Sequence, residues 1–139
     1  MNEDERSLLT AAITSGVRAP MDAIERLGNN RTFHIMAAAM SIAIERGFAD
    51  GTTPAQIQNY VEDLLERFPK ADGEIKASAL EAVIRAGLGE PELIEPLTYD
   101  DLLGASYLLT FDLISQQELD DAGREEYFQT VIALADEES

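Results

Sequence analysis

The 139-residue chain has no cysteine, one histidine and only ten lysine and arginine residues. Without cysteine there is no disulfide, no thiolate nucleophile and no thiolate metal ligand, so the fold does not depend on an oxidising compartment. Any catalytic or metal-binding role that needs an imidazole has to use the single histidine, His34. These absences exclude several classes of enzyme.

Long apolar segments are also missing. The longest run of apolar and small residues extends from Phe33 to Ile44, which is 12 residues, and it contains His34. About 20 apolar residues are needed to cross a bilayer. The first six residues are acidic, and no apolar segment of the kind found in signal peptides follows them. We therefore expect a cytoplasmic protein that does not bind membranes.

Bases are outnumbered by 27 aspartates and glutamates, which gives a net charge of −17. The charge is −2 over residues 1–50, −5 over residues 51–98 and −10 over residues 99–139. Such a surface repels nucleic-acid phosphates and anionic lipids, and it attracts basic proteins or cations. The alternative interpretation is that the acids only keep an alanine- and leucine-rich protein in solution.

Helical spacing and helix-capping residues recur along the chain, whereas no stretch alternates like a strand over more than a few residues. We predict an all-α fold, with one domain over residues 1–139 built as a bundle of six to seven helices. Residues 136–139 should form a frayed acidic tail. The predicted helices span about residues 3–15, 20–27, 33–46, 54–68, 74–86, 98–114 and 116–135.

The helix from Phe33 to Arg46 should be the hub of the core, because it is apolar almost all round. The helix from Thr98 to Ile114 should lie beside it. Gly47 is expected to end the hub in the left-handed conformation that glycine tolerates. Capping boxes are predicted at three helix starts, formed by Thr53 with Gln56, Thr98 with Asp101, and Ser115 with Glu118.

A faint repetition links Ile44–Phe48 with Ile84–Leu88, 40 residues later, and Thr53 with Thr98, 45 residues later. This spacing falls in the range of two-helix repeats, which would give two loosely related helical hairpins. Shared capping signals explain the same pattern without a duplication. The sequence leaves both interpretations open.

The predicted hub helix carries one polar line. His34, Ser41 and Glu45 follow one another at i, i+7 and i+11, which places them on one side of a helix. One interpretation is a polar groove in a small carboxylate-based enzyme; the other is a stripe that faces solvent or a polar neighbour. His34 and Ser41 would be two turns, or about 10 Å, apart, which is too far for a serine activated directly by histidine.

Motifs for metals, nucleotides and nucleic acids are missing. The acidic doublets Asp100–Asp101, Asp120–Asp121 and Glu125–Glu126 lack the ligand spacing of an EF-hand loop. No glycine-rich phosphate loop occurs, and the helix after Thr53 has too few bases to read DNA. We predict that the protein is not an enzyme, has no cofactor or metal, and binds no nucleic acid directly.

The charge pattern therefore favours a helical protein-interaction module, such as a homodimer, an adaptor, or an inhibitor or immunity-type protein. Its acidic C-terminal surface would face a basic protein partner. A second possibility is an acidic mimic of nucleic acid, which needs carboxylates spaced like phosphates along one face. The candidate residues for both are Asp112, Glu118, Asp121, Glu125 and Glu126.

The bases concentrate in the first third of the chain, where half of them lie. They should pair with the acids of the last third, either within one molecule or between two copies, and each exposed pair would contribute roughly 0–1 kcal/mol. The arginines concerned are Arg6, Arg18, Arg26, Arg31 and Arg46.

Overall fold

The structure is a computed structural model that describes residues 1–14, 21–69 and 75–138. Within these ranges the chain forms seven α-helices and no strand, so the predicted all-α fold is confirmed. In chain order the helices are α1 (Glu3–Thr14), α2 (Met21–Leu27), α3 (Asn29–Gly47), α4 (Pro54–Arg67), α5 (Ala77–Gly87), α6 (Tyr99–Ser115) and α7 (Asp121–Glu138), and a 3₁₀ turn spans Pro91–Ile94.

The contacts divide the chain into two compact units. Unit 1 comprises Met1–Gly47 and Ser106–Ser139, and unit 2 comprises Phe48–Ala105. By sequence, unit 1 contains 15 carboxylates and six bases, whereas unit 2 contains 12 carboxylates and four bases. The negative charge is therefore shared almost equally between the units, although it is uneven along the chain. The single domain over residues 1–139 stays a prediction.

In unit 1, α3 packs against α1, α2 and α7, as expected of a hub. Ile35, Met36 and Ala39 are fully or almost fully buried, while Phe33 and Met40 on another side of the helix are only half-buried. Burying side chains of the size of Ile35 and Met36 stabilises a fold by about 1.5–3 kcal/mol each. The apolar run of the sequence is thus mostly, but not entirely, core.

The end of α3 differs from the prediction. Gly47 is the last helical residue and does not have a positive φ angle. A Cβ atom at this position would lie 2.7 Å from Cδ2 of Leu113 in α6. The physical reason for glycine here is therefore the close approach of Leu113, and not a left-handed backbone.

Unit 2 shows the most complete agreement with the predicted capping signals. The Thr53 hydroxyl accepts from the Gln56 backbone N–H at 3.2 Å, and the Gln56 side chain accepts from the Thr53 N–H at 2.8 Å. Thr98 and Asp101 form the same reciprocal pair at the start of α6. The inward residues of α4 and α5 are Ile57, Val61, Leu64, Ala79, Leu80, Val83 and Ile84.

Two other helix starts lie elsewhere than predicted. α5 begins at Ala77 after Lys76, whereas the prediction began at Glu74, which lies outside the described residues. The third predicted capping box is wrong, because Ser115 ends α6 and Glu118 lies in the turn with φ of 49°. Asp120 caps α7 instead: its Oδ1 accepts from the Gly123 N–H at 2.7 Å.

The C-terminal residues expected to fray are helical as far as Glu138. Asp136 lies 2.9 Å from Nη2 of Arg31 in α3, and this ion pair holds the last turn of α7 against the hub. The predicted last residue of α1, Ser15, and the predicted first residue of α2, Pro20, lie outside the described residues.

Candidate functional site: the carboxylates and arginines of unit 1

The first group of charged residues in unit 1 ties helices together. Arg6 of α1 donates two hydrogen bonds to Glu125 of α7, at 2.6 and 3.0 Å. Arg26 of α2 binds Asp4 of α1 through its Nε, at 2.9 and 3.0 Å. Acids of the last third of the chain therefore do pair with arginines of the first third within one molecule.

The most buried of these pairs centres on Arg31. Its guanidinium donates to Oε2 of Glu5 at 2.6 and 3.0 Å and also binds Asp136. Glu5 is only 6% exposed, and its other oxygen accepts from the Asn2 N–H at 2.9 Å. Burial lowers the pKa of Arg31, but the hydrogen bonds to the two carboxylates outweigh this and the pKa is raised. Arg31 thus joins the start of α1 to the end of α7.

The prediction that Asp112 belongs to an acidic surface is wrong, because Asp112 is buried. Its side chain is 2% exposed, and its Oδ2 accepts a hydrogen bond from Nε2 of Gln116 at 3.0 Å. A carboxylate at this depth cannot contact a partner on the surface. The error arose because α6 is buried through most of its second half, so that even its acidic residue faces inward.

Glu125 belongs to the fold as well as to the predicted surface. The hydrogen bond from Arg6 holds the pKa of the Glu125 carboxyl below its ordinary value, although desolvation acts in the opposite direction. Its charge is therefore neutralised locally. With Asp112 buried and Glu125 paired, the five candidates do not form one exposed row of charge.

Three of the five predicted carboxylates are exposed: Glu118 in the α6–α7 turn, and Asp121 and Glu126 in the first two turns of α7. We call these three residues the acidic patch. No base within the described ranges forms an ion pair with any of them. The patch is therefore the part of the predicted site that can attract an external cation.

The predicted polar groove on α3 has a mixed environment. His34 and Ser41 are half-buried, Glu45 is exposed, and Ala38 between them is 1% exposed. The His34 ring makes an edge contact with Phe33, with ring centroids 6.2 Å apart. No hydrogen bond joins His34 to Ser41 in this described helix, so the structure adds no catalytic pair, and the groove stays a prediction.

A second feature of the α6–α7 turn is a cleft of about 130 Å³, which we call the turn cleft. Its apolar walls come from Ile13, Ile114 and Leu119. Glu118 and Arg124, two exposed residues of opposite charge, also line it. No local sequence pattern predicts this cleft, because Ile13 lies about 100 residues before the other lining residues.

Among residues 1–14, 21–69 and 75–138, no cluster of three or more histidine, aspartate or glutamate side chains could hold a metal ion. No helix in the same ranges is both long and apolar enough to cross a membrane. Comparisons of the chain with protein-family models, with curated proteins and with solved structures found no match. The site must therefore be interpreted from its own chemistry.

Proposed function

We propose that the protein is a non-enzymatic helical interaction module that binds a basic protein through the acidic patch of Glu118, Asp121 and Glu126. The observation that carries this proposal is the contrast between two kinds of carboxylate in unit 1. Glu5, Glu125 and Asp136 bind arginines of the same chain. The patch carboxylates are exposed and have no such partner among the described residues.

Electrostatics determine what such a patch contributes to binding. An exposed ion pair is worth about 0–1 kcal/mol, so three pairs alone give a weak complex. Their larger effect is on the association rate, because a field of one sign steers an oppositely charged partner towards the surface. We therefore expect association that is fast at low salt and strongly slowed at high salt.

The first experiment captures partners on the immobilised chain at about 0.05 M and at about 0.5 M salt. The higher salt concentration shortens the Debye length to well below about 10 Å and so screens the charges of the patch. Bound proteins are identified by mass spectrometry. The proposal expects a small set of basic proteins that is lost at high salt. Capture of acidic or neutral proteins, or retention of the same proteins at high salt, would contradict it.

A homodimer through the patch is not expected, because two copies of the same carboxylates would repel each other. The predicted homodimer would therefore use another surface of the chain. Sedimentation velocity of the purified protein at low and at high salt tests this expectation. A dimer that forms only at high salt would indicate that the exposed acids of two copies repel each other at low salt.

A further inference from the structure

We propose that the turn cleft binds a small zwitterion with an aliphatic side chain, that is, a free α-amino acid such as leucine. The proposal goes beyond the proposed function, because it concerns a small ligand, and of the residues that line the turn cleft only Glu118 belongs to the acidic patch. It rests on the conjunction, within one cleft of about 130 Å³, of aliphatic walls and two opposite charges that do not bind each other.

Arg124 is the first argument. In unit 1, the guanidinium groups of Arg6, Arg26 and Arg31 each bind a carboxylate, and that of Arg46 lies over the Tyr127 ring, 5.3 Å from its centroid. The Arg124 guanidinium has no ion pair and no ring contact within the described ranges, although the chain is rich in acids. Its planar donor array is suited to a ligand carboxylate.

Glu118 is the second argument. It lines the same cleft as Arg124, yet the two side chains form no ion pair, which requires a distance of 4.0 Å or less. Separated opposite charges are the arrangement that a ligand with both a carboxylate and an ammonium group needs. Glu118 also has a φ of 49°, a left-handed conformation that costs a non-glycine residue free energy and is often found at functional sites.

The apolar walls of the cleft are the third argument, and they predict the aliphatic group of the ligand. Ile13 and Ile114 are nearly buried, at 7% and 3% exposed, and Leu119 is half-buried. A Cβ atom at Gly123 would lie 3.3 Å from Cδ2 of Leu119, so the glycine leaves room for Leu119 to lie over the first turn of α7. A short aliphatic group is the ligand part that such a surface would remove from water.

The test uses methyl NMR of the full chain, titrated with four probes: leucine, isovalerate, isoamylamine and glycine. Leucine carries a carboxylate, an ammonium group and an aliphatic group. Isovalerate lacks the ammonium group, isoamylamine lacks the carboxylate, and glycine lacks the aliphatic group. The methyl groups of Ile13, Ile114 and Leu119 report on the cleft, and those of Ile57 and Val61 in unit 2 serve as controls. We expect saturable shifts of the cleft methyls with leucine, at lower concentration than with the other three probes.

Variants that remove one charge then test whether Arg124 binds the ligand carboxylate and Glu118 binds the ligand ammonium group. Arg124→Gln should weaken binding of leucine and isovalerate about fivefold, the upper range for an exposed ion pair, and leave isoamylamine unchanged. Glu118→Gln should weaken binding of leucine and isoamylamine and leave isovalerate unchanged. Arg26→Gln, at an arginine that binds Asp4, is the matched control and should change none of them.

The amide spectrum of each variant shows whether it is folded, so loss of binding can be separated from loss of structure. The proposal is overturned if leucine shifts no cleft methyl, if it shifts the control methyls equally, or if it binds no better than isovalerate, isoamylamine or glycine. It is also overturned if Arg124→Gln leaves leucine binding unchanged.

Discussion

Glu125 of α7 accepts two hydrogen bonds from the guanidinium of Arg6, 119 residues earlier in the chain. Its neighbour Glu126 is exposed and has no ion pair in the described part of the chain. We therefore assign different tasks to two adjacent carboxylates of one helix: Glu125 joins α7 to α1, whereas Glu126 belongs to the surface that we propose binds a basic partner.

The first prediction concerns this pair of neighbours. Glu125→Gln should lower the melting temperature, because it removes the charge that binds Arg6, whereas Glu126→Gln should leave it unchanged. The pKa of Glu125 is lowered in the folded state from an ordinary value of 4.5, so its stabilising effect is complete above that value and is lost as the pH falls through the lowered pKa. Thermal melts of both variants at pH 7 and at acid pH measure this.

The difference between wild type and Glu125→Gln should therefore shrink at acid pH. A difference that stays constant down to low pH would show that the charge of Glu125 is not what stabilises the contact. An effect of Glu126→Gln as large as that of Glu125→Gln would contradict the division of tasks.

The second prediction concerns Tyr127, whose side chain is fully buried and donates a hydrogen bond to the backbone oxygen of Ala39 at 2.8 Å. Tyr127→Phe should reduce the free energy of unfolding by about 1–2 kcal/mol, because it leaves a buried acceptor with one partner fewer. Urea melts measure the loss. A variant as stable as wild type would mean that the hydroxyl contributes nothing to the packing of α7 on α3.

The same residue gives a pH dependence. Burial raises the pKa of Tyr127 well above its ordinary value of 10.0, although nearby Arg46 lowers it slightly. The neutral phenol therefore stabilises the fold fully below pH 10 and progressively less as the pH rises beyond it. We expect the stability of wild type to fall more steeply than that of Tyr127→Phe in melts above pH 10, and parallel curves would refute this.

The third prediction concerns the left-handed backbone of Glu118. Glu118→Gly should stabilise the protein by about 1 kcal/mol, because glycine has no Cβ to clash in this conformation. Glu118→Ala, which removes the same charge but keeps the Cβ, is the matched control and should not stabilise. Equal melting temperatures for the two variants would show that backbone strain is unimportant at this turn.

The fourth prediction compares two helical glycines. Gly47→Ala should destabilise the protein by about 1 kcal/mol or more, since its Cβ would lie 2.7 Å from Leu113 and overpacking outweighs the better helix propensity of alanine. Gly104→Ala, whose Cβ would meet Ile75 at 3.4 Å, should be neutral or stabilising. Chemical denaturation measures the free energy of unfolding of both variants. If Gly47→Ala stabilises the protein, the steric explanation is excluded.

Features fixed by neighbouring residues were predictable from the sequence. The capping boxes at Thr53 and Thr98 and the amphipathic helix α4 depend on residues three or four apart, and the structure contains them. Ser115 with Glu118 has the same spacing and failed, because Asp120 two residues later offers a competing cap and the chain turns at Glu118.

Features that depend on distant residues were not predictable. The burial of Asp112 follows from what α6 packs against, and the cluster of Arg31, Glu5 and Asp136 joins three helices. Only one part of that cluster had a local signal, the pair of Asn2 and Glu5 three residues apart, which forms a reciprocal cap at the start of α1. The candidate site therefore kept three of its five predicted carboxylates.

The most direct measurement of the central claim is the affinity of a captured basic partner for two charge-matched variants. One replaces the acidic patch (Glu118→Gln, Asp121→Asn, Glu126→Gln), and the other replaces three exposed carboxylates of unit 2 (Glu62→Gln, Glu66→Gln, Glu92→Gln). Both raise the net charge by three. We predict that the patch variant loses binding at low salt by about tenfold or more, as three lost pairs imply, while the unit 2 variant binds like wild type. Equal losses in both variants, or none in the patch variant, would contradict the account.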